Sequence, residues 1–146
     1  MLNYQQLKEI LPQASPFLLI DRVEEYKEVE HLVAVKNVTR NEWPLSGYSQ
    51  DTDVFPQVLL IEAAAQAALV LYYLSRVKNG PQPRYVLGRA NSEFFNDVKA
   101  GDQIRFQVSA GKMLDFGGYS SVQVSRGEEK ISQVEIFYSV SKVRYG

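Results

Sequence analysis

The chain has 146 residues, of which 45% are apolar and 23% are charged, and its formal net charge is −1. This length is sufficient for one domain with a hydrophobic core and too short for two domains of ordinary size. We therefore expect a single domain over residues 1–146. Because the chain is nearly neutral, it lacks the excess of positive charge that would neutralise a phosphate backbone. Nucleic acid is therefore not an expected partner.

The counts of cysteine and histidine exclude several kinds of catalytic and metal site. The chain has no cysteine and a single histidine, His31. Disulfides, thiol nucleophiles and cysteine-based zinc sites are therefore excluded, and a histidine metal site within one chain is not expected. We predict no cofactor and no metal. The first residues lack the basic stretch and apolar run of a signal peptide, so we expect a cytoplasmic protein.

The first third of the chain predicts a short helix followed by two strands. Asn3 can cap the helix, and Pro12 ends it. The strands are predicted over Phe17–Tyr26 and His31–Val38, because both segments are rich in apolar and β-branched residues and a polar connection separates them. A loop without periodicity follows over Thr39–Phe55.

A long helix is predicted next, from Pro56 to Asn79–Pro81. Within it, Val58–Leu74 is apolar on every side, and only Glu62 and Gln66 interrupt the run. Such a helix has to be surrounded by protein. The run is slightly short for a membrane span and contains polar groups, so we predict a buried helix and no membrane.

The second half of the chain predicts more strands, because apolar and polar residues alternate between glycine-containing turns. The predicted strands are Tyr85–Phe95, Gln103–Ala110, Ser120–Ser125 and a last one around Val134–Val140. One long helix with about six strands predicts an α+β fold, in which a curved antiparallel sheet wraps the helix.

Four stretches in this order resemble the 3-hydroxyacyl-[acyl-carrier-protein] dehydratases of bacterial fatty-acid synthesis. They are Pro16–Arg22 (PFLLIDR), Val33–Val38 (VAVKNV), Phe55–Gln66 (FPQVLLIEAAAQ) and Val98–Gln103 (VKAGDQ). The resemblance covers nearly the whole chain. It implies a hotdog fold, a dimer, and acyl thioesters on a carrier protein as ligands.

The resemblance also implies where the active site lies. In such dehydratases a histidine in the loop and a carboxylate on the helix handle the protons, and an N–H group at the helix start polarises the thioester. The carboxylate is present as Glu62, whereas the histidine position is Tyr48, the helix-start glycine is Gln57 and a loop proline is Asp53. Glu62 and Tyr48 are thus the implied catalytic positions. The implied substrate-binding residues are Phe55, Gln57, Val58 and Gln66.

Three functions remain open on this sequence. The first is a non-catalytic or half-site subunit for carrier-protein thioesters in fatty-acid, polyketide or polyene synthesis, with a partner supplying the histidine. The second is an active, atypical dehydratase in which Tyr48 or a loop aspartate assists Glu62, although a phenol with a pKa of about 10 is a poor base. The third is a thioesterase with Glu62 as base or nucleophile. The assembly is expected to be a homodimer, a heterodimer with a related hotdog subunit, or a hexamer.

Overall fold

The computed structural model describes residues 1–13, 17–41, 54–79 and 83–141. The described part contains two helices and six strands. In chain order they are α1 (Tyr4–Ile10), β1 (Arg22–Lys27), β2 (His31–Asn37), α2 (Gln57–Tyr72, continued by a π-helical turn over Tyr73–Val77), β3 (Arg84–Phe94), β4 (Gln103–Leu114), β5 (Gly117–Arg126) and β6 (Glu129–Ser141).

The six strands form one sheet in the order β1-β2-β4-β5-β6-β3. Every pair of neighbours is antiparallel. Along β4 the inward residues Ile104, Phe106 and Val108 are fully buried, and the residues between them are exposed. The predicted element order and the antiparallel sheet are therefore confirmed.

Helix α2 is the centre of the core and packs against β2, β3, β4, β5 and β6. The small residues Ala63, Ala64, Ala67 and Ala68 are completely buried, so the strands can approach the helix backbone closely. By length and hydropathy, Gln57–Val77 could cross a membrane, but 67% of this apolar stretch is buried inside the protein. This burial agrees with the prediction of a core helix.

The helix α1 begins and ends as the sequence predicts. The side chain of Asn3 accepts from the backbone N–H of Gln6, and the Gln6 side chain accepts from the Asn3 N–H, both at 2.9 Å. These two bonds form a capping box. Leu11 after the helix is extended, because the following Pro12 disfavours helical geometry.

Several predicted strand boundaries are wrong: β4 runs on to Leu114 beyond the predicted end at Ala110, and β5 begins at Gly117 before the predicted Ser120. The predicted strand Phe17–Tyr26 begins too early, because β1 starts only at Arg22; the preceding residues are tied to a helix side chain described below. The end of the long helix also differs from an ordinary α-helix. It widens into the π-helical turn at Tyr73, and Lys78, with φ 58°, follows its last residue.

Replacing Phe106 by alanine should lower the free energy of unfolding by about 3–5 kcal/mol, because a large, fully buried ring is lost beneath α2. The neighbouring Gln107 lies on the exposed face of the same strand, so Gln107→Ala should change stability by no more than about 0.5 kcal/mol. Urea unfolding measures both variants. Similar losses for the two variants would contradict the assignment of the buried face.

Candidate functional site

Helix α2 carries a stripe of three predicted site residues, Val58, Glu62 and Gln66. They follow one another at intervals of four residues, so they lie on one side of the helix. Exposure falls along the stripe, from 68% at Val58 to 0% at Gln66. The stripe therefore runs from the helix start at the surface into the core.

Both polar atoms of the Gln66 side chain form hydrogen bonds with other groups of the protein. Its Oε1 accepts from the Leu19 N–H at 2.9 Å, and its Nε2 donates to the Phe17 carbonyl at 2.7 Å. Nε2 also lies 3.3 Å from Oε1 of Glu62. The backbone groups of Phe17 and Leu19 thus bond to this amide and not to a neighbouring strand. This explains why β1 begins only at Arg22.

The carboxylate of Glu62 is partly buried and held on one oxygen only. Nε2 of Gln66 and Nε2 of Gln13 both donate to its Oε1, at 3.3 Å and 3.4 Å. Its Oε2 takes no hydrogen bond from the described residues. Within the described part of the chain, two amides therefore anchor one oxygen, and the other has no partner.

Gln13 is a site residue that the sequence reasoning missed. It lies in the link after α1, where no periodic pattern marks it, and only the fold brings it to a helix residue 49 positions later. Its own Oε1 is buried and has no hydrogen-bond partner within the described part of the chain. This oxygen is an acceptor next to the carboxylate.

The first N–H groups of α2 have no partner within the helix. Pro56 provides no side-chain cap, and the first bonds to its carbonyl come from Leu59 and Leu60. The N–H groups of Gln57 and Val58 thus have no acceptor within the helix. Together with the helix dipole they favour an electron-rich ligand atom at this end.

Phe55, just before the first residue of α2, fixes the start of the helix to the core. Its side chain is fully buried in the core, and its N–H donates to the carbonyl of Val98 at 2.7 Å. Lys36 is only 3% exposed as a residue, and its amine lies 5.3 Å from the centre of the Phe55 ring. Sequence reasoning missed Lys36, although it follows Leu32 and Ala34 at an inward position of β2. A substrate contact from Phe55 stays a prediction.

Two other positions that the family resemblance singles out fall in the loop before α2. Tyr48 and Asp53 lie outside the described residues. His31 lies at the β1–β2 hairpin, where its Nε2 is 3.9 Å from Oε1 of Glu25. The tip of that hairpin bonds the far end of α2, because the Val29 N–H donates to Oγ of Ser75 at 2.8 Å.

Ser75 is about 20 Å from Glu62 along the helix axis at the usual rise per residue. The histidine therefore belongs to the opposite end of the molecule from the carboxylate. Among the described residues, no group of three or more His, Cys, Asp and Glu side chains could hold a metal ion.

Known proteins are similar to this chain in sequence or in fold. A model of the FabA-like domain matches residues 11–143. The chain is 34% identical over 140 residues to the 3-hydroxyacyl-[acyl-carrier-protein] dehydratase FabZ of Bacillus cereus (strain AH820), over 96% of each protein. It is 42% identical over 118 residues to FabZ of Legionella pneumophila, over 79% of each.

Two solved structures show the same fold. The dehydratase heterocomplex ApeI:P from Xenorhabdus doucetiae matches with a TM-score of 0.80 at 16% identity, over 92% of this chain and 90% of that chain. A mutant form of the thioesterase PA1618 from Pseudomonas aeruginosa matches with a TM-score of 0.71 at 15% identity, over 97% and 95%. These likenesses concern the fold alone, and they confirm the predicted hotdog architecture.

Replacing Gln66 by methionine should keep the volume of the side chain and remove its hydrogen bonds. The Leu19 N–H and the Phe17 carbonyl then lose a buried partner, so we expect a loss of about 2–4 kcal/mol in the free energy of unfolding. Hydrogen exchange should also become faster in residues 17–20. Gln107→Met, on an exposed position of β4, is the matched control. Unchanged exchange in residues 17–20 would contradict the anchoring role.

Proposed function

Because this chain belongs to the FabA-like family of hotdog dehydratases, we propose that it is the half of a two-subunit dehydratase that lacks the histidine. It binds 3-hydroxyacyl chains on acyl carrier protein, contributes Glu62 to a shared site, and depends on a related hotdog subunit for the base. The pathway is fatty-acid, polyketide or polyene synthesis in the cytoplasm.

One observation carries this proposal. The carboxylate of Glu62 is held by two amides with one oxygen left for a ligand, while the chain's single histidine lies at the other end of α2. The site thus keeps an organised acid position and has no imidazole of its own to remove a proton. A group from a second subunit supplies what is missing.

The dehydration divides between the two subunits. The partner's base removes a proton from the carbon next to the thioester carbonyl, and the electrons of that C–H bond form the new double bond. The bond from the β-carbon to its hydroxyl breaks, and Glu62 in its acid form gives the leaving oxygen a proton, so that water departs. The N–H groups at the start of α2 stabilise the negative charge that develops on the thioester oxygen.

Gln13 and Gln66 prepare Glu62 for this step. Their two N–H groups hold Oε1 of Glu62, so the side chain stays in one rotamer. Its other oxygen, Oε2, is then already oriented towards the substrate. The unpaired oxygen of Gln13 can accept the hydrogen of the substrate hydroxyl while Glu62 protonates that hydroxyl. Gln66 acts as a positioning residue and does not itself touch the substrate.

The edge of the sheet at β3 is where we place the second subunit. Within the described residues β3 pairs only with β6, so its other side has no strand partner there. Val86 and Leu87 on this strand are 46% and 44% exposed. An open apolar edge of this kind favours pairing with another strand. Because α2 packs against β3, a subunit docked there lies beside the helix that carries Glu62.

The purified chain alone should not dehydrate 3-hydroxyacyl thioesters of acyl carrier protein, because the base is absent. The assay follows the enoyl product by mass spectrometry, and the same samples are tested for free thiol to detect thioesterase activity. Robust dehydration that Glu62→Ala abolishes would contradict the proposal.

One further variant and the thiol assay separate the alternatives. If turnover were present and Tyr48→Phe removed it, the chain would be an atypical dehydratase that works alone. If free thiol and free acid were released in a manner that depends on Glu62, the chain would be a thioesterase. Glu28→Gln is the matched control, because this carboxylate lies 3.7 Å from Lys78 at the far end of α2.

A further inference from the structure

The outer face of the sheet, on the side away from α2, carries two stacked aromatic rings and a guanidinium group. Tyr119 on β5 and Phe137 on β6 are opposite each other, and their rings stack at 5.1 Å between centroids. Arg89 on β3 is also opposite Phe137, and its guanidinium carbon lies 4.7 Å from the centre of that ring. The Tyr119 ring extends over β4 as well, because a side chain at Gly111 would collide with it. Four neighbouring strands thus share one flat surface.

An acidic side chain lies beside these rings. Glu135 is two residues from Phe137 on β6, so it points to the same face. Its Oε1 accepts from the hydroxyl of Ser121 at 3.3 Å. Its Oε2 is buried and has no hydrogen-bond partner in the part of the chain that the structure describes. A half-buried carboxylate of this kind is costly until a cation or a further donor reaches it.

The positive charge on the same face is not used to neutralise Glu135. Along β3, Asn91 is opposite Glu135, so Arg89 lies diagonally from the carboxylate. Arg89 is exposed, and among the described residues it forms no ion pair with any carboxylate. One arginine and one glutamate therefore lie close together without pairing. We call Arg89, Tyr119, Ser121, Glu135 and Phe137 the outer patch.

The composition of the outer patch is typical of a protein interface. Aromatic side chains and arginine are enriched where two proteins meet, and other charged residues are depleted there. The next outward side chain along each of the four strands is uncharged; these are Asn91, Ser109, Gln123 and Gln133. The outer patch thus has an aromatic centre, one charge of each sign and a polar surround.

We propose that the outer patch binds the outer patch of a second copy of this chain, so that two sheets pack face to face. A two-fold axis through such a patch places each arginine against the glutamate of the other copy, because every contact in a two-fold interface occurs twice. Face-to-face sheets lie about 10 Å apart, a gap that an arginine and a glutamate side chain span together.

This contact is separate from the one proposed at the edge of β3. The edge offers backbone groups to another strand, whereas the outer patch offers side chains that stand on the sheet. One chain can therefore bind a different hotdog subunit at its edge and a second copy of itself at its outer face. The inference does not rest on the proposed function, since it holds whatever reaction the assembly performs.

The test reverses each charge in the purified full chain. Arg89→Glu or Glu135→Arg alone sets like charges against each other across the interface. Each should raise the dissociation constant about tenfold or more in sedimentation analysis, and the mass of the assembly in native mass spectrometry should halve. The double variant Arg89→Glu with Glu135→Arg restores opposite charges, and it should return the dissociation constant to within about threefold of the original.

Two control variants separate this contact from other causes. Lys8→Glu makes the same change of charge at an exposed position of α1, and it should not alter the mass. Leu87→Lys disturbs the β3 edge opposite the buried Tyr138, and the effects of the charge reversals should persist in its presence. Circular dichroism checks that every variant is folded.

Three results would overturn the inference. They are a purified chain that stays monomeric at every concentration, an assembly whose mass is the same in both single variants, and a double variant that is folded but does not reassociate. None of these results bears on the dehydration assays, so this inference and the proposed function fail separately.

Discussion

The enclosure of α2 by the sheet is the constraint on which the rest of the structure depends. The helix is apolar nearly all round, and all of its alanines are buried. Burial of apolar surface is the main driving force for folding, and the small side chains of this helix set how closely the sheet approaches. Once the helix is fixed, every polar residue on it has a fixed position as well.

Polar residues on such a helix are costly unless they find partners. Gln66 satisfies its amide with the backbone of Phe17 and Leu19, and in doing so it fixes the link that leads into β1. The same amide reaches Glu62, which Gln13 also contacts. The packing of the core thus determines the geometry of the carboxylate. This arrangement suits a subunit that contributes an acid to a site completed by another chain.

Most of the fold could be predicted from the sequence, because local patterns decide it. The capping box at Asn3, the apolar run of α2 and the alternation in β4 each bury or satisfy groups within one element. The sequence did not reveal the late start of β1 or the contact from Gln13, since both depend on side chains from distant parts of the chain. The candidate site was predictable only at Glu62 and its neighbours on α2, where the family resemblance is dense.

The central claim is that this chain supplies Glu62 to a site whose base comes from another subunit. The most direct measurement reconstitutes the mixed assembly with a histidine-bearing hotdog subunit and places Glu62→Gln in this chain alone. We predict that dehydration of 3-hydroxyacyl carrier protein falls about a hundredfold or more, while native mass spectrometry shows the same assembly. Undiminished turnover by the intact mixed assembly would contradict the claim.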